Sequence, residues 1–357
     1  MGRRNRYPEE TLSTNRAAAR AGAKYVIGID LGGTNVRAAV VDHEEKLLER
    51  AENSSSAKSG AKQTVARIAE AARAAAANSG VKMADIGAIG VAVPGHINVP
   101  QGMIVWAPNF GENIDGNYVP YKQIPLREML EAELGVATTM DNDANVAALG
   151  EFRYGAGRGT RHLVMFTLGT GIGGGIIVEG EVLRGATGGA AEVGHIIIAD
   201  GVGSSPNGAH GRLETLAGRD PIIERAALKM ESGRATLLWD YVKGPEALQQ
   251  HLDPKTIDDA AEAGDELAKE VLRETGHYVG LGIASMVNVF NPEVFVLGGK
   301  ISNSRTLREA AENTARASAI GSILAAARIV SAELGDNAGI MGAAELAWRE
   351  VDAAKRA

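Results

Sequence analysis

Apolar and polar positions along this chain repeat with a period of two in some stretches and near 3.6 in others, and the switches between them mark its elements. Val26, Ile27 and Ile29 lead to Asp30, and an alternating pattern returns through Val36, Ala38, Val40 and Val41. With Gly32-Gly33-Thr34 between them, the two runs predict a β-hairpin over 25–42 with a glycine-rich reversal. An Ala-rich helix is expected over 63–78, stopped near Gly80. Residues 86–93 (IGAIGVAV) are continuously apolar and predict a buried parallel strand ending at Pro94-Gly95. Residues 111–123 read as polar and irregular, 124–134 as a helix ended by Gly135, and 136–140 as a short strand delivering Asp141-Asn142-Asp143. A helix starting near Asn145 runs to Tyr154.

A second apolar strand, 163–168, enters the run Gly169-Thr170-Gly171-Ile172-Gly173-Gly174-Gly175, with strand again at 176–178. Helices are expected over 219–230, 236–241, 265–290 and 339–354, and a buried strand over 294–297 ends at Gly298-Gly299. Gly276, Gly280 and Gly282 fall inside the longest helix, where each costs about 1 kcal/mol against alanine, so close packing against a neighbour is their expected use. Strand, glycine reversal and strand thus occur twice, the mark of a duplicated phosphate-binding fold. Gly169–Gly174 also has G-x-G-x-x-G spacing, but the continuation GIIVEGEVL reads as a hairpin where a dinucleotide site needs a helix.

A chain of 357 residues can hold two domains, each with its own core. Its net charge of -7 argues against a nucleic-acid partner. With no cysteine there is neither a disulfide framework nor a thiolate metal site. No apolar run approaches the ~20 residues of a membrane span. Residues 1–24 mix five arginines with Glu9 and Glu10 and fit neither a secretory signal nor a transit peptide; they read as a solvated extension of a soluble, cytoplasmic protein.

Candidate chemistry concentrates at the strand ends. Glycines at 32 and 33 let backbone N–H groups approach a phosphate, and Asp30 beside them can hold Mg²⁺ through water; an ordinary hairpin is the plainer reading. Asp143, between strand and helix, is placed to act as a general base on an alcohol, or to serve as an N-cap. Asn142 suits a sugar hydroxyl and is equally an ordinary turn residue. Glu192, His195 and Glu214 make a poor metal site but a reasonable set of hydroxyl ligands, against surface positions as the alternative.

Taken together, these motifs resemble the ROK family (repressors, open reading frames and kinases), and within it the bacterial ATP-dependent glucokinases, over about residues 25–350. GIDLGGTN resembles the family's first phosphate motif and TLGTGIGGG its second. VPG at Val93–Gly95, the Pro108-Asn109 pair, DNDANVAALGE from Asp141, AAEVGH from Ala190 and GRLETLAG from Gly211 resemble its sugar side, and VLGGKIS its step near the adenosine. The resemblance implies an α/β fold of two ribonuclease-H-like (actin/hexokinase-type) domains with a cleft between them, 25–140 and 141–339, after the extension 1–24 and with a C-terminal helix, 340–357, returning to the first domain. It implies phosphorylation of a hexose, foremost glucose, at the 6-hydroxyl, with ATP and Mg²⁺ as cofactors and a homodimer as the assembly. Kinases for fructose, mannose or an N-acetylhexosamine, a polyphosphate-using kinase, and a non-catalytic sugar-sensing regulator are the alternatives. Asp143 is the implied base, and Asn109, Asn142, Glu192, His195 and Glu214 the implied hexose ligands. Asp30, Gly32, Gly33, Thr34, Asn35, Thr170, Gly171, Gly298 and Gly299 would face Mg²⁺–ATP, with Asp30 nearest the metal.

The chain departs from the resemblance in three ways. Many relatives hold structural zinc through the equivalent of His195 and three cysteines; here those three places are Ser205, Asn207 and Arg212, so zinc in that form is excluded and His195 is left to the sugar. Pro206 and new hydrogen bonds are candidates for holding the loop 201–212 instead. The stretch 111–123 is longer than in many relatives and bears on sugar selectivity, and 24 residues before Tyr25 are too few for the helix-turn-helix of repressor members.

Overall fold

β1 (Tyr25–Leu31) and β2 (Asn35–Asp42) form the predicted hairpin, with Leu31 opposite Val36 and only Gly32-Gly33-Thr34 between. The computed structural model describes residues 17–201, 210–242 and 251–356. Two compact units divide the chain after Val146 and again before Gly339, so the last helix belongs to the first unit.

In the first unit β3 (Leu47–Ser54), which the sequence pattern did not announce, pairs antiparallel with β2. On the other side of β1 lie β4 (Ile86–Val93) and β8 (Thr138–Asn142), both parallel, giving the order β3-β2-β1-β4-β8. β4 is buried at every position, which is why its sequence is apolar without alternation.

The two faces of this sheet differ in side-chain size. Ile27, Ile29, Leu31, Ile89, Val91, Val93 and Met140 build a core with the helix Ala61–Asn78. The alternate positions Gly28 and Gly90 lie under the helix Ala338–Arg356. A Cβ on Gly28 would stand 2.1 Å from the Ile340 carbonyl oxygen, and one on Gly90 1.8 Å from that of Ala343. Backbone therefore packs on backbone here, a contact that only glycine permits.

A smaller sheet joins β5 (His96–Asn98), β6 (Met103–Ile114) and β7 (Asn117–Ile124). Residues 111–123, expected to be irregular, are thus the β6–β7 hairpin. Its mostly solvent-exposed positions carry the polar and turn-forming residues that hide the strand pattern. Other boundaries shift by a few residues: the following helix is Leu126–Leu134, and the next begins at Asp143 and ends at Tyr154. Residues 17–24, read from sequence as part of a solvated extension, are tied down: the Arg20 N–H donates to the Gly87 carbonyl at 3.1 Å and that of Ala17 to Glu131 at 3.4 Å. Residues 1–16 lie outside the described residues.

The second unit repeats the first one's topology. β9 (Leu163–Leu168) and β10 (Ile172–Val178) are an antiparallel hairpin, extended by β11 (Glu181–Val182) on one side. β12 (Val294–Gly298) and β13 (Arg328–Ser331) continue parallel on the other, in the order β11-β10-β9-β12-β13. Gly173, Gly174 and Gly175 lie inside β10, opposite Thr167, Phe166 and Met165, so the reversal is shorter than the glycine run implied. The helix expected over 236–241 is a 3₁₀ turn, Leu237–Tyr241.

The helix Glu266–Phe290 covers one face of the second sheet and packs on the helix Arg305–Ser318. Cβ atoms on Gly276 and Gly280 would meet the Leu307 and Ala311 carbonyl oxygens at 2.3 and 2.5 Å, the close packing expected of these glycines. Glu151 is fully buried in this unit, its carboxylate accepting from the N–H groups of Ala156, Glu333 and Leu334 at 2.7–3.0 Å. It fastens the segment leading into the last helix to the turn after Tyr154. The two units are thus both α/β, each with a ribonuclease-H-like sheet of three antiparallel and two parallel strands.

Gly90→Ala should cost about 3 kcal/mol or more, since the obstructing atom is backbone and cannot rotate away. Gly33→Ala, where no protein atom lies within 4 Å of the new Cβ, should change stability by less than about 0.5 kcal/mol. Chemical denaturation of both variants beside wild type checks the pair; equal midpoints for the two would contradict the packing account.

Candidate functional site

Parallel pairing brings three strand ends of the first unit to one edge of its sheet. Asp30 is in register with Ala92, and Ala92 with Asp141, so these carboxylates sit two strand spacings apart, ~10 Å. Ligands in α/β proteins sit beyond such carboxyl ends.

Asp30 lies against the first turn of the helix Ala338–Arg356: a Cβ on Gly339 would be 2.9 Å from its Cγ. The positive end of that helix favours the carboxylate's negative charge. In the adjoining reversal the Gly32 N–H is used by the Asn35 carbonyl at 2.9 Å. Thr34 accepts from the Ser55 N–H at 2.9 Å, and the Asn35 side chain donates to Glu52 at 2.5 Å, so β3 braces the turn. Gly33 and Thr34 are exposed. Open space beside Gly33, and a single carboxylate that can reach a metal through water, fit a magnesium-bound polyphosphate.

At the end of β8 the Ala144 N–H is shared between Asn142 Oδ1 and Asp143 Oδ1, each at 2.9 Å. Asn142 caps the following helix: its Oδ1 accepts from the N–H groups of Ala144 at 2.9 Å and Asn145 at 3.2 Å. Its Nδ2 donates to the Gly95 carbonyl at 3.1 Å, leaving one N–H for a ligand. Gly95 has φ 102° and its α-carbon lies close to the Trp106 carbonyl, so the Pro94-Gly95 loop, β6 and the β8 end lock together. Asn109 is exposed three residues beyond Trp106, in a bulge between Ala107 and Gly111 where β6 has three unpaired residues. With Asn142 as cap, Asp143 becomes the first helical residue and its side chain is exposed, whereas Asp141 and Asn145 are buried.

The second unit gathers its own set around the carboxyl end of β9. The reversal Gly169-Thr170-Gly171 closes with the Gly169 N–H on the Gly171 carbonyl at 3.0 Å. Gly299, with φ 84°, presses against Leu168, and Gly298 pairs with Thr167. Glu214, on the helix Leu213–Ala217, accepts from the Ile172 N–H at 2.8 Å, and the Arg219 N–H donates to the Thr170 carbonyl at 3.3 Å. Gly194 fits against Ile172, which brings the 3₁₀ turn Val193–His195 to the same place. His195 Nε2 is 4.0 Å from the Glu192 carboxylate.

Two functional links were not readable in the sequence. One is the bond from Ile172 to Glu214, which ties a candidate sugar ligand to the glycine reversal. The other is Arg212, whose Nη1 lies 3.3 Å from His195 Nδ1. Both join residues distant in sequence; the glycine at 171, where a Cβ would meet Glu214 at 2.3 Å, hinted at the first, and the placing of His195 and Arg212 at two ligand positions of the relatives' zinc site hinted at the closeness of the second pair. The residues present do not fit zinc: an arginine cannot ligate it, and among the described residues no group of three His, Cys, Asp or Glu could hold a metal. Ser205, Pro206 and Asn207 lie outside the described residues. Among those described, no helix is long and apolar enough to cross a membrane.

A family model described as the ROK family matches residues 26–350. The glucokinase of Halalkalibacterium halodurans is 33% identical over 322 residues, covering 89% of this chain and 93% of that protein. The glucokinase of Streptomyces coelicolor is 33% identical over 331 residues, 91% and 98% of the two chains. Among solved structures, a ROK family glucokinase from Streptomyces griseus in complex with glucose and AMPPNP superposes with a TM-score of 0.74 at 31% identity, covering 91% of this chain and 99% of that one.

Asn142→Ala removes a cap and the tie to Gly95 and should lower stability by about 1–2 kcal/mol. Asn142→Asp keeps the cap and should lose less. Urea midpoints of the two variants test this, and an Ala variant as stable as wild type would sink the capping assignment.

Proposed function

The chain belongs to the ROK family, and from that premise we propose that it is a hexose kinase, transferring the γ-phosphoryl group of ATP to the 6-hydroxyl of glucose. The observation that carries this reading is the placement of Asp143: an exposed carboxylate at the start of a helix whose cap is supplied by its neighbour, on the sheet edge that also ends in Asp30.

In this reading Asp143 accepts the proton of the 6-hydroxyl as its oxygen bonds to the γ-phosphorus and the bond to the β–γ bridging oxygen breaks, releasing ADP. Asn142, with one N–H still available, and Asn109 orient the sugar. Glu192, His195 and Glu214 are assigned to its other hydroxyls, the carboxylates as acceptors. Backbone amides of the reversals at 32–34 and 169–171 receive the phosphates, with Gly298 and Gly299 on the nucleoside side. Asp30 is assigned to hold Mg²⁺ through water, and the chemistry a bound Mg²⁺ supplies is neutralisation of phosphate charge. Most of the rate enhancement then comes from positioning and fixed dipoles, since phosphoryl transfer asks little covalent chemistry of the protein.

Steady-state rates with ATP·Mg²⁺ and glucose, fructose, mannose, N-acetylglucosamine and N-acetylmannosamine test the assignment. Glucose should give the highest kcat/KM, and Asp143→Asn should lower kcat by about 10²-fold or more. A higher kcat/KM for another hexose would move the specificity there. Sugar binding without turnover of any of them would favour the sensing regulator instead.

A further inference from the structure

His195 and Arg212 stand on two short segments that are laced together by backbone. Ile197 bridges Arg212 in antiparallel register, the Ile198 N–H donates to the Gly211 carbonyl at 2.8 Å, and the Leu213 N–H to that of Ile196 at 3.0 Å. The Thr215 hydroxyl donates to the Arg212 carbonyl at 2.9 Å, and the His195 N–H to that of Glu192 at 3.1 Å. Both side chains therefore leave fixed backbone, and they meet with Arg212 Nη1 3.3 Å from His195 Nδ1.

A guanidinium has five N–H donors and no acceptor, and it stays protonated throughout the working pH range. Its hydrogen bond to Nδ1 can run in one direction only, onto the ring lone pair. That leaves the imidazole proton on Nε2, the nitrogen 4.0 Å from the Glu192 carboxylate. A donor and an acceptor then stand side by side, matched to a hydroxyl, which both accepts and donates.

We propose that Arg212 is a positioning residue: it fixes the Nε2–H tautomer of His195, so that the ring donates to a sugar hydroxyl while Glu192 accepts. In this chain a hydrogen bond from arginine orients the histidine, at a position where the resemblance places a metal-ligating cysteine. The tautomer follows from the Arg212 geometry alone. Its effect on sugar binding rests on the reading of His195 as a hexose ligand.

The test uses the full chain with ¹⁵N-labelled histidine, His195 being assigned by the signal lost in His195→Gln. Long-range ¹H–¹⁵N spectra of sugar-free wild type should show Nδ1 as the unprotonated and Nε2 as the protonated nitrogen. In Arg212→Met both signals should move toward the averaged values of exchanging tautomers, and Arg212→Lys, which can also only donate, should restore the wild-type pattern. In assays, Arg212→Met should raise the KM for glucose about three- to tenfold with kcat within about twofold, and Arg212→Lys should recover much of that loss. A proton on Nδ1 in wild type, or spectra unchanged in Arg212→Met, would overturn the proposal whatever the kinetics. A tautomer that shifts in Arg212→Met with no change in KM would instead uphold the Arg212 assignment and remove His195 from the sugar site.

Discussion

The approach of the helix Ala338–Arg356 to β1 and β4 sets the terms for the rest of the first unit. Gly28 and Gly90 let its backbone lie on the sheet with no side chain between, and the bulky aliphatics are pushed to the opposite face. That choice brings the end of the chain back to its beginning and sets the helix's first turn beside Asp30. A carboxylate at the exposed end of a buried strand gains there a favourable dipole at no cost in side-chain packing. Larger residues at either glycine would lift the helix and with it the environment of Asp30.

Each unit solves the same problem in the same order. A hairpin with a three-residue glycine-containing reversal opens the sheet, and parallel strands return their carboxyl ends to the same edge. Around that frame the supporting contacts differ. β3 braces the first reversal through Ser55 and Glu52, whereas Glu214 and Arg219 brace the second. The second reversal is thus wired directly to a residue assigned to sugar, and the first is not. Where relatives are expected to use zinc, a short backbone ladder between 196–198 and 211–213 joins the segments of His195 and Glu214.

Much of this was legible because burial leaves a pattern. β4, β9 and β12 are buried on both faces and read as unbroken apolar runs, and the glycine reversals were plain from composition and spacing. Strands with solvent-facing positions were the ones missed: β3, β5, β6, β7 and β13 had no strand expected over them. β3 and β7 carry polar residues on their outer positions, and Asp115, Gly116 and Pro120 read as turn signals. Asp143 and Asn142 could be picked out as chemistry-bearing residues, but which of them capped the helix depended on a one-residue difference in where it starts. Gly28 and Gly90 looked like ordinary strand positions, since the helix that requires them lies some 250 to 310 residues further on. Glu151 was opaque for the same reason, its partners being set by tertiary structure, whereas the resemblance implied that Arg212 lies near His195 but not the hydrogen bond between them.

A crystal structure of the protein with glucose bound tests the central claim most directly. The account predicts glucose at the β8 edge with its O6 within about 2.6–3.2 Å of an Asp143 carboxylate oxygen and an Asn142 N–H on a neighbouring hydroxyl. Glucose bound there with O6 turned away from Asp143 and toward another base, or bound elsewhere on the chain, would contradict it.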